Sequence, residues 1–268
     1  MIEVIRSTAK AAHARVALFD FDGTISTIRS GWMDVMVPMM VEILAETKSG
    51  ESEAQLTEVV RDFVGRLTGK QTMYQMIELA EQVEKRGGKP LEPLLYKRRY
   101  LDLLWKRIEH RIDALRSGKS AATEYLVPGS IAVLEGLKAR GFRMYLASGT
   151  DHAYMAEEAR LLGVTPYFDG GVYGALDDYK SFSKAILIQK VIREAGYRGD
   201  EFIGFGDGYV EIENVKQVGG VTVGVASDEP HCMQVDGWKR DRLIGVGADY
   251  IVPNYLEHER LFSLLFSN

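Results

Sequence analysis

Residues 16–25 read VALFDFDGTI, an apolar run of strand length that stops at two aspartates, Asp20 and Asp22, before a Gly-Thr turn. Asp-Gly is a common turn pair, so Asp22 alone has an ordinary explanation. Asp20 does not share it, because it precedes the turn and sits at the end of the strand. Side chains two residues apart on an extended strand point to the same side, so both carboxylates could address one bound group. Two carboxylates about 4 Å apart repel by about 4 kcal/mol at an effective dielectric near about 20, which calls for a cation.

Three other stretches offer matching chemistry. ASGTD (147–151) follows an apolar run and places a hydroxyl, Ser148, and a small residue, Gly149, before a helix start, where free N–H groups suit an anion. Thr150 or Asp151 could equally be a plain N-cap there. DDYKSFSKA (177–185) offers two lysines. Lys184 follows Ser183, a good N-cap, while Lys180 lies four residues earlier. GFGDGYVEIEN (204–214) ends another apolar run in Asp207, with Glu211 four residues on and on the same side of a helix. Oxygen donors with few nitrogens or sulfurs suit a hard cation such as Mg²⁺. The five histidines have no ligand spacing, which excludes a zinc site of the usual kind, and only His152, beside the SGT loop, is close to the candidate set. A carboxylate attacking a phosphate dianion faces strong repulsion. A divalent cation and a lysine would offset it, with Asp20 as nucleophile and Asp22 as general acid–base.

These residues need a scaffold that gathers strand ends. Apolar runs at 15–20, 142–148, 201–207, 221–227 and 248–253 alternate with helical patterns at 129–140 and 183–195. That order predicts an α/β fold, a doubly wound and mostly parallel sheet covered on both faces. Residues 27–126 differ. Four apolar stripes at helical spacing (32–43, 56–67, 73–83 and 93–116) are separated by turn chemistry at KSGES, LTGKQ and RGGKPLEP, with no strand pattern. An all-helical module over 27–126 is therefore expected, inserted into a core formed by 1–26 and 127–268.

The totals narrow the function. A net charge of −5 and a pI near 5.7 lack the basic footprint of a nucleic-acid binder. The one cysteine, Cys232, cannot form an intramolecular disulfide and reads as an inert surface or half-buried thiol. No stretch approaches a membrane span and the first residues lack a signal-peptide pattern, so the expectation is a soluble cytoplasmic protein with no membrane partner.

In this order, DFDGT, ASGT, a lysine opening a helix and GDGYVE, the motifs resemble the haloacid dehalogenase superfamily over roughly residues 14–26 and 127–268. The resemblance implies a Rossmann-like core, an aspartyl-phosphate formed on Asp20, and acid–base duty for Asp22. It implies phosphate contacts from Ser148, Gly149 and a lysine: Lys184, as in phosphoserine phosphatases, is preferred because its spacings to Gly196 and Asp207 suit that pattern, and Lys180, as in phosphoglycolate phosphatases, is the rival. It also implies Mg²⁺ held by Asp20, Asp207 and the main chain of Asp22, with Glu211 in place of the frequent second aspartate. An aspartate at position 22 is similar to phosphotransfer members rather than dehalogenases. The 27–126 insertion is similar to a helical cap, and Lys70 in LTGKQT is the best placed residue to meet a substrate anion. The expected activity is a Mg²⁺-dependent phosphatase acting on a small phosphorylated metabolite. The alternatives are a sugar-phosphate mutase, for which His110 or Lys70 would have to serve as a base, and a non-catalytic ligand-binding module.

Overall fold

The computed structural model describes residues 1–176 and 181–267. In chain order, β1 (Glu3–Val4) and β2 (Val16–Phe19) precede four helices, α1 (Met33–Ala45), α2 (Glu53–Leu67), α3 (Thr72–Lys85) and α4 (Pro93–Arg116). Helices and strands then alternate: α5 (Ser130–Ala139), β3 (Arg143–Asp151), α6 (His152–Leu161), β4 (Gly171–Ala175), α7 (Lys184–Ala195), β5 (Phe202–Gly206), α8 (Tyr209–Gln217), β6 (Val221–Val225), α9 (Gly237–Gly245), β7 (Tyr250–Val252) and α10 (His258–Phe266).

The strands form one sheet in the order β1-β7-β6-β5-β2-β3-β4. All neighbours are parallel except β1 and β7. The chain leaves β2 toward β3 and β4, then returns to build β5, β6 and β7 on the other side. Connections of opposite sense diverge beside β2, and a crevice opens at such a point. The unbroken apolar run of β2 has a direct cause. Val16 and Leu18 pack with Leu187, Ile188 and Val191 of α7, while Ala17 and Phe19 join a larger core with Leu134 and Leu137 of α5 and Leu261 and Leu265 of α10. Both faces are covered, so the run does not alternate.

Local signals account for most boundaries. The Ser52 side chain and Gln55 form a reciprocal cap on α2. Pro93 opens α4. The Ser183 hydroxyl accepts the Ile186 N–H at 3.1 Å, and Gly196, with φ +73°, ends α7. β3 runs three residues past the expected 142–148 and takes the SGT stretch into the strand. β1 and β4 were not expected: β1 is two residues long, and β4 (GVYGA) is short and carries two glycines. Between β2 and α5 the chain forms α1–α4, which pack on one another. Its outgoing and returning segments lie side by side, with Ser26 bridged to Leu126 and the Thr27 N–H donated to Tyr125 O at 2.8 Å. No helix among the described residues is long and apolar enough to cross a membrane.

Cys232 departs from expectation. It is fully buried, in a loop whose backbone turns inward at φ +53°. Burial, with the nearby Glu229 carboxylate next, pushes its thiol up to about 11. Because the folded value lies above the unfolded one, the neutral thiol's contribution to stability is complete below about pH 8.5 and is lost as pH rises through about 11. Iodoacetamide at pH 8 is expected to label Cys232 more than about 100-fold more slowly in native protein than in urea. Equal rates, read by mass spectrometry, would contradict this placement.

Candidate active site

The parallel pairing of β2 with β5 sets Phe19 beside Phe205. The residues just past the two strands therefore meet at one rim. The Asp20 N–H donates to Phe205 O at 2.9 Å, and the Asp207 N–H donates to Thr24 Oγ1 at 3.0 Å. These bonds tie the DGT turn to the loop after β5. Gly23 sits at φ +72°, and a Cβ there would come within 2.3 Å of Asp207 Oδ2. Only glycine allows both the turn and the approach of the second acid.

Lys184, the first residue of α7, is buried with Nζ 2.6 Å from Asp20 Oδ1 and 2.6 Å from Glu211 Oε2. The other Glu211 oxygen accepts the Gly208 N–H at 2.7 Å. One carboxylate oxygen from each of Asp20, Asp207 and Glu211 lies within 4.8 Å of the other two. Burial raises the Asp20 carboxyl well above the usual range. Lys184 opposes that rise, while Glu211 and Asp207 add to it. Glu211 is raised for the same leading reason, with Lys184 again opposing. Burial alone would lower the Lys184 ammonium, but Asp20 and then Glu211 outweigh it and raise it. The lysine therefore stays charged, and negative charge remains in excess around it. The rival Lys180 lies outside the described residues.

Asp22 lines the same cavity but has different partners from Asp20. Its Oδ2 accepts from Thr150 Oγ1 at 2.8 Å and from Ser148 Oγ at 3.2 Å. Its Oδ1 is buried and has no hydrogen-bond partner among the described residues, with Arg29 Nε 3.9 Å away. Arg29 is held by Glu158 of α6, at 3.1 Å through Nε and 2.7 Å through Nη2. Asp151 does not cap α6 with its side chain but binds Lys97 of α4 at 2.5 Å. Gly149 has a steric role, since a Cβ there would lie 2.7 Å from Lys70 O. His152 Nδ1 accepts the Gly174 N–H at 3.3 Å, a structural contact.

A cavity of about 100 Å³ joins these groups. Asp20, Asp22, Asp207, Ser148, Gly149 and Thr150 form its floor side, and Trp32, Met36, Lys70, Gln75, Tyr100 and Leu101 come from the segment holding α1–α4. Lys70 is exposed and makes no ion pair among the described residues, with its Nζ 5.7 Å from the Tyr74 ring centre. His110 is exposed on α4 and is not among the residues lining this cavity.

Several participants had no sequence signal. Lys239 Nζ lies 3.0 Å from Asp207 Oδ2 and 2.6 Å from Glu229 Oε1, and Glu229 Oε2 accepts from Ser30 Oγ at 2.8 Å. Neither GWKRD nor SDEP marks these residues as part of a site, and Arg29 and Glu158 are 129 positions apart. Around the rim, the ammonium groups of Lys184 and Lys239 stand among the carboxylates of Asp20, Asp207, Glu211 and Glu229. At their formal charges these six groups carry two more negative charges than positive ones. Oxygen-only donors of this kind fit Mg²⁺, and Asp20 and Asp207 are the residues that would hold it.

The family model "haloacid dehalogenase-like hydrolase" matches residues 14–219. No curated protein matches the chain. Among solved structures, a phosphonoacetaldehyde hydrolase like protein from Oleispira antarctica is similar at a TM-score of 0.61 and 16% identity, over 97% of each chain. A β-phosphoglucomutase from Clostridium difficile is similar at 0.58 and 14%, over 94% of this chain and 96% of its own. A predicted phosphoglycolate phosphatase from Haemophilus somnus is similar at 0.57 and 13%, over 93% and 98%. At these identities the likeness establishes the fold.

Lys184→Met removes the ammonium shared by two buried carboxylates and is expected to cost about 3–5 kcal/mol in urea denaturation at pH 7. Asp20 and Glu211 already titrate above their unfolded values. The penalty should therefore be absent below the unfolded carboxylate range and grow as pH rises through the folded values. A loss that does not change with pH would show that Lys184 does not compensate these acids.

Proposed function

Because the chain belongs to the haloacid dehalogenase-like hydrolases, we propose that it is a Mg²⁺-dependent phosphatase of a small phosphomonoester, working through an aspartyl-phosphate on Asp20. One observation carries the reading: Asp20 lines the cavity with Oδ1 on Lys184 and Oδ2 free of hydrogen bonds among the described residues. A carboxylate so held is oriented as a nucleophile, and its lysine offsets the charge of an incoming phosphoryl group.

In the first step Asp20 Oδ2 bonds to phosphorus as the phosphorus–oxygen bond to the leaving alcohol breaks. Asp22 gives its proton to that oxygen. Ser148 and Thr150 hold Asp22 Oδ2, so Oδ1 is left to carry the proton. In the second step Asp22 takes a proton from water, the water oxygen bonds to phosphorus, and the bond to Asp20 breaks. Lys184 stays positive throughout, and Glu211, bonded to Lys184 and to the Gly208 amide, holds that ammonium in place. Mg²⁺ on Asp20 and Asp207 would neutralise charge on the phosphoryl oxygens.

Residues 27–126 act as a cap in this reading. They supply Trp32, Met36, Tyr100 and Leu101 to exclude water, and the exposed Lys70 to meet an anion on the substrate. The single buried cysteine agrees with a cytoplasmic setting. The cavity's size suits a small metabolite. Of the two bases a mutase would need, His110 is outside the cavity lining and Lys70 is in it, so the mutase is kept as the second outcome of the test below.

Purified protein is expected to release phosphate from p-nitrophenyl phosphate and from a subset of phosphorylated metabolites with Mg²⁺, and to stop with EDTA. Asp20→Asn should lower kcat by at least about 1,000-fold. Equal rates for Asp20→Asn and wild type would sink the proposal. Interconversion of sugar phosphates without phosphate release would replace it with the mutase.

A further inference from the structure

Lys239 has a peculiar position for a structural ion pair. It lies in the first turn of α9, where the helix macrodipole is positive and a cation is disfavoured. The Asp236 side chain caps the same turn by accepting the Lys239 N–H at 2.8 Å. The ammonium is nevertheless directed into the rim, onto Asp207 Oδ2 at 3.0 Å and Glu229 Oε1 at 2.6 Å. Glu229 is itself anchored through its other oxygen to Ser30 Oγ at 2.8 Å. The lysine is thus held from behind by an acid that takes no part in the three-carboxylate cluster of Asp20, Asp207 and Glu211.

The consequence lies in which oxygens remain. Asp207 Oδ2 is taken by Lys239, Asp20 Oδ1 by Lys184, and both oxygens of Glu211 are bonded. Among the described residues, Asp207 Oδ1 and Asp20 Oδ2 carry no hydrogen bond. Asp207 therefore has one oxygen left to give, Oδ1. Mg²⁺ wants single oxygens at about 2.0–2.1 Å in octahedral array, whereas Ca²⁺ takes about 6–8 oxygens and readily uses both oxygens of one carboxylate.

We propose that Lys239 is a metal-selecting residue: by occupying Asp207 Oδ2 it makes this acid a one-oxygen ligand and so favours Mg²⁺ over Ca²⁺. Glu229 keeps the lysine's charge from repelling the ion. The proposal rests on the metal-dependent reading above, and it concerns binding rather than turnover.

The test is calorimetric titration of the intact protein with MgCl₂ and with CaCl₂, for wild type and for the double variant Glu229→Gln/Lys239→Met. The double variant removes one charge of each sign, so the net charge of the site is unchanged. Comparing two ions of equal charge cancels what remains. The ratio of Ca²⁺ to Mg²⁺ affinity is expected to rise about tenfold, an effect of the size seen for outer partners of metal ligands. Lys239→Arg, which keeps charge and donors at that place, should keep the wild-type ratio. A ratio unchanged within twofold in the double variant, with wild type binding Mg²⁺, overturns the role of Lys239 alone. A wild type that binds neither ion overturns the metal-dependent reading and this inference with it. Infrared spectra of the wild type give a measure that does not depend on the variant's folding. The carboxylate stretches of the Ca²⁺-bound protein should lack the narrow splitting of two-oxygen coordination, and its presence would overturn the proposal.

Discussion

Four carboxylates and two ammonium groups share one largely buried rim, and their balance is the constraint on which the rest depends. A buried carboxylate without a partner is costly, and like charges set close together compound the cost. Lys184 relieves part of this by standing between Asp20 and Glu211. The remainder is the reason the rim suits a divalent cation. The acids are poor stabilisers of the fold, and their arrangement makes sense as a place where charge is to be exchanged.

The sheet is what allows such a rim to exist. Neighbouring parallel strands end on the same side, so Asp20 after β2 and Asp207 after β5 meet without any contact between their own sequence neighbourhoods. Phe19 and Phe205 stack at 4.4 Å beneath them, giving a stiff apolar floor to a polar surface. The SGT stretch at the end of β3 brings Ser148 and Thr150 to Asp22. The two leading acids therefore have separate surroundings: Asp20 faces an ammonium and other acids, and Asp22 faces hydroxyls and the flank of a guanidinium already engaged by Glu158. Divergent surroundings are what the roles proposed for them, nucleophile and acid–base, require.

The helical segment between β2 and α5 closes the site from the other side. Its contacts with the α/β part include polar, specific ones: Lys97 to Asp151, Arg116 to Glu157, Arg242 to the Gly65 carbonyl, and the Lys70 carbonyl against Gly149. Glycine at 149 was read from sequence as room for a phosphate. In the structure it is room for the backbone of the loop between α2 and α3. One small residue thus serves the approach of two parts of the chain.

The sequence by itself indicated most of the strand and helix order, the helical character of 27–126 and Asp20, Asp22, Ser148 and Asp207 as candidates that one site could gather, because these features are written in local periodicity and in short motifs at strand ends; between Lys184 and Lys180 it left the choice open. It did not determine β1 or β4, too short or too glycine-rich for a period to register, nor the full burial of Cys232 among polar neighbours. Only the tertiary structure decided that Glu211 holds Lys184, that Arg29 is shared between Glu158 and Asp22, and that Lys239 and Glu229 stand behind Asp207. The reason is physical. A motif reports what a residue can do within its own turn, whereas the partner of a buried charge is chosen by strand order and helix docking, which join positions far apart in the chain.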